Sequence, residues 1–457
     1  MTEQSQNFIA KSTIKAADLD HRRKINFNIG KYNSKVPEGK EQFANVHLAR
    51  ERAKNVKWRA IETLDKQLEN FEINFTKRGG KVIWAENSDQ AIEEILNICK
   101  AKNCRKLVKS KSMVTEEIHL NTALEKNGIE SVETDLGEYI QQLDGEPPYH
   151  IVTPAMHKSK EDVAKLFHEK LGTSINLTPQ ELTLVARDIL REKYVTAEVG
   201  VTGANFIISD IGAVAITENE GNARLSCAFP NTHIVIVGIE KMLPSLTDLG
   251  LFWPLLSTFG TGQKVTVYNT IVAGPRQPGE TDGPEEMYVI LLDNGRTNIL
   301  QSPKQRESLY CIRCGACLNA CPVYKNIGGH TYGATYSGPI GSVITPNLQG
   351  MDDFKHLSYA SSLCGACTEV CAVKINLHEL LLDNRHQSVE EGLNKFSEKI
   401  AWKIWKTASL NRAMMNMGNG NLKNKVVNGL FKDWKKHRSD LNFSQKTFNE
   451  MWKERFK

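Results

Sequence analysis

Seven of the ten cysteines fall into two runs, Cys311-x2-Cys314-x2-Cys317-x3-Cys321-Pro322 and Cys364-x2-Cys367-x3-Cys371. Three thiolates at x2, x2 spacing crowd one tight loop, where they hold three irons of a cubane. The fourth, followed by proline, usually reaches across to a second cluster. Zinc also takes Cys-x2-Cys pairs, but as four or eight ligands grouped two by two rather than three in succession. A disulfide framework fits worse still, because a chain of 457 residues needs no staples and begins without an export signal. The spacing therefore points to two iron–sulfur clusters, 4Fe-4S in form, and to a chain that carries electrons.

Aligned with the first run, the second has Ser361 where its first cysteine would stand and Ala372 in place of the proline. If each fourth thiolate crosses over, cluster one takes Cys311, Cys314, Cys317 and Cys371. Cluster two takes Cys321, Cys364 and Cys367 and is one ligand short. Four options stand open for the gap: the Ser361 oxygen, water, a thiolate from a partner, or a three-iron cluster.

These runs need a scaffold, and the length allows two or three domains. Hydrophobic residues make up 40% and charged ones 24%, as in an ordinary globular protein. No apolar run reaches the roughly 18 residues that span a bilayer, and the most apolar stretch, 246–259, is broken by Asp248, Gly250 and Pro254. Thiolate ligands and a polar start at 1–11 place the chain in the cytoplasm.

Along the chain, residues 1–65 read as a polar lead-in to a charged helix over 41–71, with an apolar stripe through Val46, Ala53, Val56 and Ile61. Strands at 81–85, 105–109 and 131–134 then alternate with helices at 89–101 and 113–126. That alternation implies a parallel sheet faced by helices. Further strands follow at 206–208, 213–217, 233–238, 264–271 and 286–292, rich in β-branched residues. The expected organisation is a helical lead-in (1–65), an α/β domain (66–297), a two-cluster 4Fe-4S ferredoxin-type domain (298–387) and a helical tail (388–457). A 42-residue insert between the cysteine runs, with Gly328, Gly329, Gly333, Gly338 and Gly341, argues against a long helix there and against a compact two-hairpin ferredoxin. A helical module in which each cysteine loop caps a helix suits it better.

Open α/β sheets bind ligands outside the carboxyl ends of their strands, where helix N-termini attract anions. Two loops lie at such ends. In the first, Lys109 and Ser110 open a turn that suits a carboxylate or phosphate, although Ser112 also serves as a plain helix cap. In the second, Thr217-Glu218-Asn219-Glu220-Gly221-Asn222 follows a strand, with Asn205 just upstream. Glu218 and Glu220 suit acid–base or nucleophilic work, with Asn205 and Asn219 to hold a ligand; the same letters also make a polar turn. No G-x-G-x-x-G follows a strand and no P-loop occurs, which argues against a dinucleotide of the usual kind. Cys99, Cys104 and Cys227 sit in apolar or helical surroundings and read as packing.

A net charge of +5 does not argue for nucleic acid, but it is unevenly placed. Residues 388–457 hold fifteen Lys and Arg against seven Asp and Glu, together with Trp402, Trp405, Trp434 and Trp452. A basic, aromatic tail suits packing on the cluster domain together with docking to an acidic partner, with at most peripheral membrane contact.

Three stretches, GVTGANFIISDIGAVAITENEGNARL from Gly200, CIRCGACLNACPVY from Cys311 and SYASSLCGACTEVCAVKINLHELL from Ser358, resemble the lactate utilization protein B family. The resemblance covers nearly the whole chain. It implies a LUD domain, similar in fold to the NagB, ribose-5-phosphate isomerase and CoA-transferase group. It also implies the role of iron–sulfur subunit in a three-component bacterial system that oxidises L-lactate to pyruvate, with two sister subunits as partners. Three cysteines in the second run are usual in that family, so Ser361 is a family trait, whereas Ala372 departs from the commoner Cys-Pro without removing a ligand. CoA-transferases of this fold carry a nucleophilic glutamate in a Ser-Glu-Asn-Gly turn, which the stretch from Thr217 to Gly221 resembles, but the extra Glu220 breaks the match. Two other functions follow from the same residues: a LUD hydrolase or CoA-transferase with structural clusters, and a non-catalytic electron-carrier scaffold.

Overall fold

A computed structural model describes residues 2–430 and 438–456, so Trp434 lies outside the described residues. Two compact units emerge, Met1–Ser388 and Val389–Lys457.

In the first unit, β1 (Lys81–Ala85), β2 (Lys106–Lys109), β3 (Glu130–Glu133) and β4 (Val199–Thr202) are followed by β5 (Phe206–Ile208) and β6 (Ala213–Glu218). Next come β7 (Thr232–Gly238), β8 (Met242–Leu243), β9 (Tyr268–Val272) and β10 (Glu286–Leu292). Six of them form a parallel sheet in the order β1-β10-β7-β4-β2-β3. Parallel neighbours need long crossovers, which the intervening helices supply, and those helices cover both faces. All seven residues of β7 are accordingly buried. One face packs Ile95, Leu107, Leu124, Ile234 and Ile290. The other packs Phe71, Phe75, Val235, Val237 and Val289. A second, mixed sheet runs β8-β5-β6-β9.

The lead-in is more ordered than its polarity suggests. Helices Glu3–Ala17 and Leu19–Lys40, N-capped by Thr2 and Asp18, precede Val46–Glu62 and Leu64–Thr76. The single helix expected over 41–71 is therefore two, broken at Thr63 (φ −122°, ψ 29°). The helix expected over 113–126 is likewise split into Met113–Glu117 and Leu120–Lys126 by His119 in the left-handed region (φ +54°). Helix Val46–Glu62 clamps the second cysteine run: Arg50 donates to the carbonyls of Cys371 (2.7 and 2.9 Å) and Glu369 (2.7 Å).

The glycine-rich insert does contain a regular helix, Gly338–Gln349. Gly341 explains why glycine serves there: a Cβ would lie 2.0 Å from the Tyr336 carbonyl oxygen. In the second unit, helices Phe396–Leu410, Arg412–Asn416, Gly420–Leu430 and Phe448–Arg455 leave Trp402, Trp405 and Trp452 exposed. No described helix is long and apolar enough to cross a membrane.

Candidate metal centre and adjoining cavity

Both cysteine loops share one backbone shape. Arg313 (φ +59°) and Gly315 (φ +82°) in the first match Leu363 (φ +52°) and Gly365 (φ +80°) in the second. Gly315 and Gly365 then cap short helices, Ala316–Ala320 and Ala366–Glu369. In the first loop the Arg313 N–H donates to Cys311 Sγ at 3.4 Å. In the second the Leu363 N–H donates to Ser361 Oγ at 3.2 Å. Ser361 thus holds its oxygen where Cys311 holds its sulfur.

The loops face one another. Cys311, Cys314, Cys317 and Cys371 line a single cavity walled by Ile151, Ile312, Ile340, Val373, Ile375 and Leu377. Burial, then Cys371 and Cys311, pushes the Cys314 thiol up to about 12. Burial, then Cys311, Cys314 and Cys371, raises Cys317 as well. Cys321, Cys364 and Cys367 form the other group. Burial, then Cys321 and Cys364, pushes Cys367 up to about 11. Four thiols converging in an apolar cradle resist ionising together unless a metal centre supplies the opposing charge. The donor set therefore fits an iron–sulfur cluster, and the crossover of Cys371 into the first group is the one expected from spacing.

Beside this cradle, the carboxyl edge of the parallel sheet carries a buried ion network. Arg296, after β10, binds Glu117 through two parallel bonds (2.8 and 2.9 Å) and Glu240, after β7, at 2.6 Å. Tyr336 and Asn294 also donate to Glu117, at 2.5 and 2.6 Å. Arg313 of the first cysteine loop stands 3.6 Å from Glu240 and stacks over the Tyr336 ring at 4.5 Å. Gly238 must be glycine, because a Cβ would meet Glu240 Oε2 at 2.1 Å and Arg296 Nε at 2.4 Å.

A cavity of about 240 Å³ opens at the same edge. Ser110, Asn205, Glu218, Asn219 and Glu220 all line it, so the two loops singled out in the sequence meet. Their atoms are partly engaged. Asn205 Oδ1 accepts from the Thr217 N–H at 2.9 Å, and Asn219 pairs with the Gln263 amide in both directions (3.0 and 3.1 Å). Both Glu218 oxygens accept helix N–H groups, from Ala223 (2.8 Å) and Arg224 (2.9 Å), which leaves the carboxylate in a capping role. Burial, reinforced by Asp135, pushes Glu220 up to about 7. Lys109 is the exception and is a correction to the expected ligand set. Fully buried, its ammonium is bound by Glu133 (2.7 Å), Glu116 (3.0 Å) and Thr115 (2.9 Å), and it does not line the cavity. The cavity also takes in Lys111 of the same turn as Ser110 and the cluster cysteine Cys314, together with Asp135, Lys241 and Arg313, the three that sequence reasoning missed. Lys241 closes the short turn Ile239–Lys241 that follows β7, so the strand-end rule applied to residues 109–112 would have found it.

The parallel sheet with its strand-end cavity, joined to paired cysteine loops, defines a LUD domain protein with a cluster module. The LUD domain matches residues 68–292, and a 4Fe-4S dicluster domain matches residues 307–375. The chain is 47% identical over 383 residues to lactate utilization protein B of Bacillus licheniformis, covering 83% of this chain and 80% of that one. It is 48% identical to the protein of that name from Geobacillus sp. (strain WCH70) over the same shares, and 45% identical over 427 residues to the one from Bacillus cytotoxicus, covering 91% and 90%. The chain belongs to the lactate utilization protein B family and is an iron–sulfur protein with 4Fe-4S clusters.

Proposed function

We propose that this chain is the iron–sulfur electron-carrying subunit of an assembly that oxidises L-lactate to pyruvate. The observation that carries this reading is a shared wall: the cavity at the ligand-binding edge of the sheet reaches Cys314, one of the four thiols of the first cradle. The oxidation releases two electrons and two protons. When bound, the clusters supply one-electron carriage at potentials set by ligands, burial and hydrogen bonds, within roughly −700 to +450 mV. Cys311, Cys314, Cys317 and Cys371 hold the first, and their aliphatic walls exclude water. Cys321, Cys364 and Cys367 hold the second near the surface, where Cys364 is exposed. The basic tail, with Trp402, Trp405 and Trp452 on its surface, docks the two sister subunits.

Anaerobic protein mixed with those subunits is expected to bleach on adding L-lactate. Bleaching by dithionite but never by L-lactate would reject the assignment.

The Ser361 hydroxyl is the fourth ligand of the second cluster, because it occupies the position of Cys311 in a loop of the same shape. Ser361→Ala should lose about one iron per chain and show a three-iron EPR signal when oxidised, whereas Ser361→Cys should keep two four-iron signals. An Ala variant with both four-iron signals intact rules the hydroxyl out.

A further inference from the structure

The cavity behind Glu218 and Glu220 has a second wall that the sequence motifs do not explain. Lys241 is 6% exposed, and among the described residues its ammonium has no hydrogen-bond or ion-pair partner. Arg313 reaches the same space with Nη1 buried and unpartnered. Neighbouring charges do not absorb them. Glu117 and Glu240 are bound to Arg296, and Glu240 alone also faces Arg313, at 3.6 Å. Two positive groups therefore bear on one small space with hydrogen-bonding capacity unspent. A buried cation left this way is costly unless an anion joins it.

The space is small, about 240 Å³, below the range of roughly 300–1,000 Å³ for sites that take drug-sized ligands. Ser110, Asp135, Glu218 and Glu220 line the same cavity, with Lys111 placed 3.6 Å from Asp135. A ligand that fills it has a carboxylate for the cations and a hydroxyl or keto oxygen for the remaining polar groups.

We propose that this cavity binds a small 2-hydroxy or 2-oxo carboxylate, its carboxylate held by Lys241 and Arg313 against the first cysteine loop. The choice of acid rests on the proposed function; the anion site itself rests on the unpaired Lys241 ammonium and the unspent Nη1 of Arg313. Burial holds Glu220 near neutrality, which suits it to exchange a proton with the second oxygen. A competing role for Lys241 and Arg313 is to offset the charge of the cluster thiolates, since both lie in the field of Cys311.

Calorimetric titration of cluster-loaded, oxidised protein with pyruvate, without partner subunits, separates the two roles. One saturable site per chain is expected, weakened at least about tenfold in Lys241→Met, largely kept in Lys241→Arg, and weaker for acetate than for pyruvate. No saturable binding, equal affinity in the Met variant, or equal affinity for acetate overturns the inference. A measurement on the unchanged protein covers the case of a variant that fails to load iron. Saturating pyruvate should lower the midpoint potential of one cluster and not the other, because added negative charge opposes reduction nearby; no shift in either overturns the site. Absent pyruvate binding with L-lactate still bleaching the complete assembly removes this site and leaves the proposed function standing. Binding without such bleaching does the reverse.

Discussion

Cys314→Ala is expected to abolish L-lactate-dependent reduction and to lower iron content by about half, while the parallel sheet stays folded. Cys314 belongs to the four-thiol cradle, and removing it opens that cradle to the adjoining cavity. The two cores that sandwich the sheet contain none of the seven run cysteines, so their packing does not depend on the cluster. The remaining thiols of the second group, Cys321, Cys364 and Cys367, lie apart from Cys314, and one cluster signal should persist in EPR. Iron per chain, EPR before and after reduction, and far-UV circular dichroism measure the three parts separately. Full lactate-driven reduction in this variant would dismiss the first cradle as an electron path.

Five of the six strands of the parallel sheet were legible as short runs between turn residues, whereas β4 (Val199–Thr202) was not expected. Expected positions 81–85 and 286–292 match β1 and β10 residue for residue. Elements governed by tertiary contact were not. The first two helices carry few apolar residues, yet His21, Ile25 and Ile29 repeat every four positions and are buried under the rest of the chain. The strand expected over 264–271 begins only at Tyr268, where pairing with Glu218 starts; Val265 and Val267 are exposed, so β-propensity had no partner to act on. Glycines in the insert discourage a helix in isolation, but Gly341 is there to admit a backbone carbonyl, a need invisible without the neighbouring turn.

The cluster cysteines announce themselves because ligand geometry fixes their spacing within one loop. The cavity is built differently, from residues far apart in sequence: Lys111, Glu220, Lys241 and Arg313 come from four separate segments. Sequence order carries no record of that meeting. Lys109 shows the opposite failure. A strand-end lysine looks like an anion ligand, but it points into a group of carboxylates, Glu116, Glu133 and Glu138, that already neutralise it.

Arg296→Met should destabilise the first unit by about 3–5 kcal/mol, the range for breaking a buried ion pair from one side. Arg296 is 1% exposed and is the main counter-charge to both Glu117 and Glu240, themselves 5% and 1% exposed. A methionine fills the volume and leaves two buried carboxylates facing each other. The same network sets an acid limit. Burial alone would raise Glu240, yet Arg296, Arg313 and Lys241 hold its carboxyl down at about 2, against an ordinary 4.5. A depressed folded-state value stabilises above the unfolded one, so this contribution is complete above about 4.5 and is lost as pH falls from there to about 2. Chemical denaturation of the wild type and the variant at neutral pH and across that window tests both statements. The wild type should lose its advantage as the window is crossed, because protonated Glu117 and Glu240 no longer need the guanidinium. Because Arg296 holds Glu240, and Glu240 faces Arg313 in the first cysteine loop, the variant should also load iron less completely than the wild type, a coupling that iron analysis reads directly.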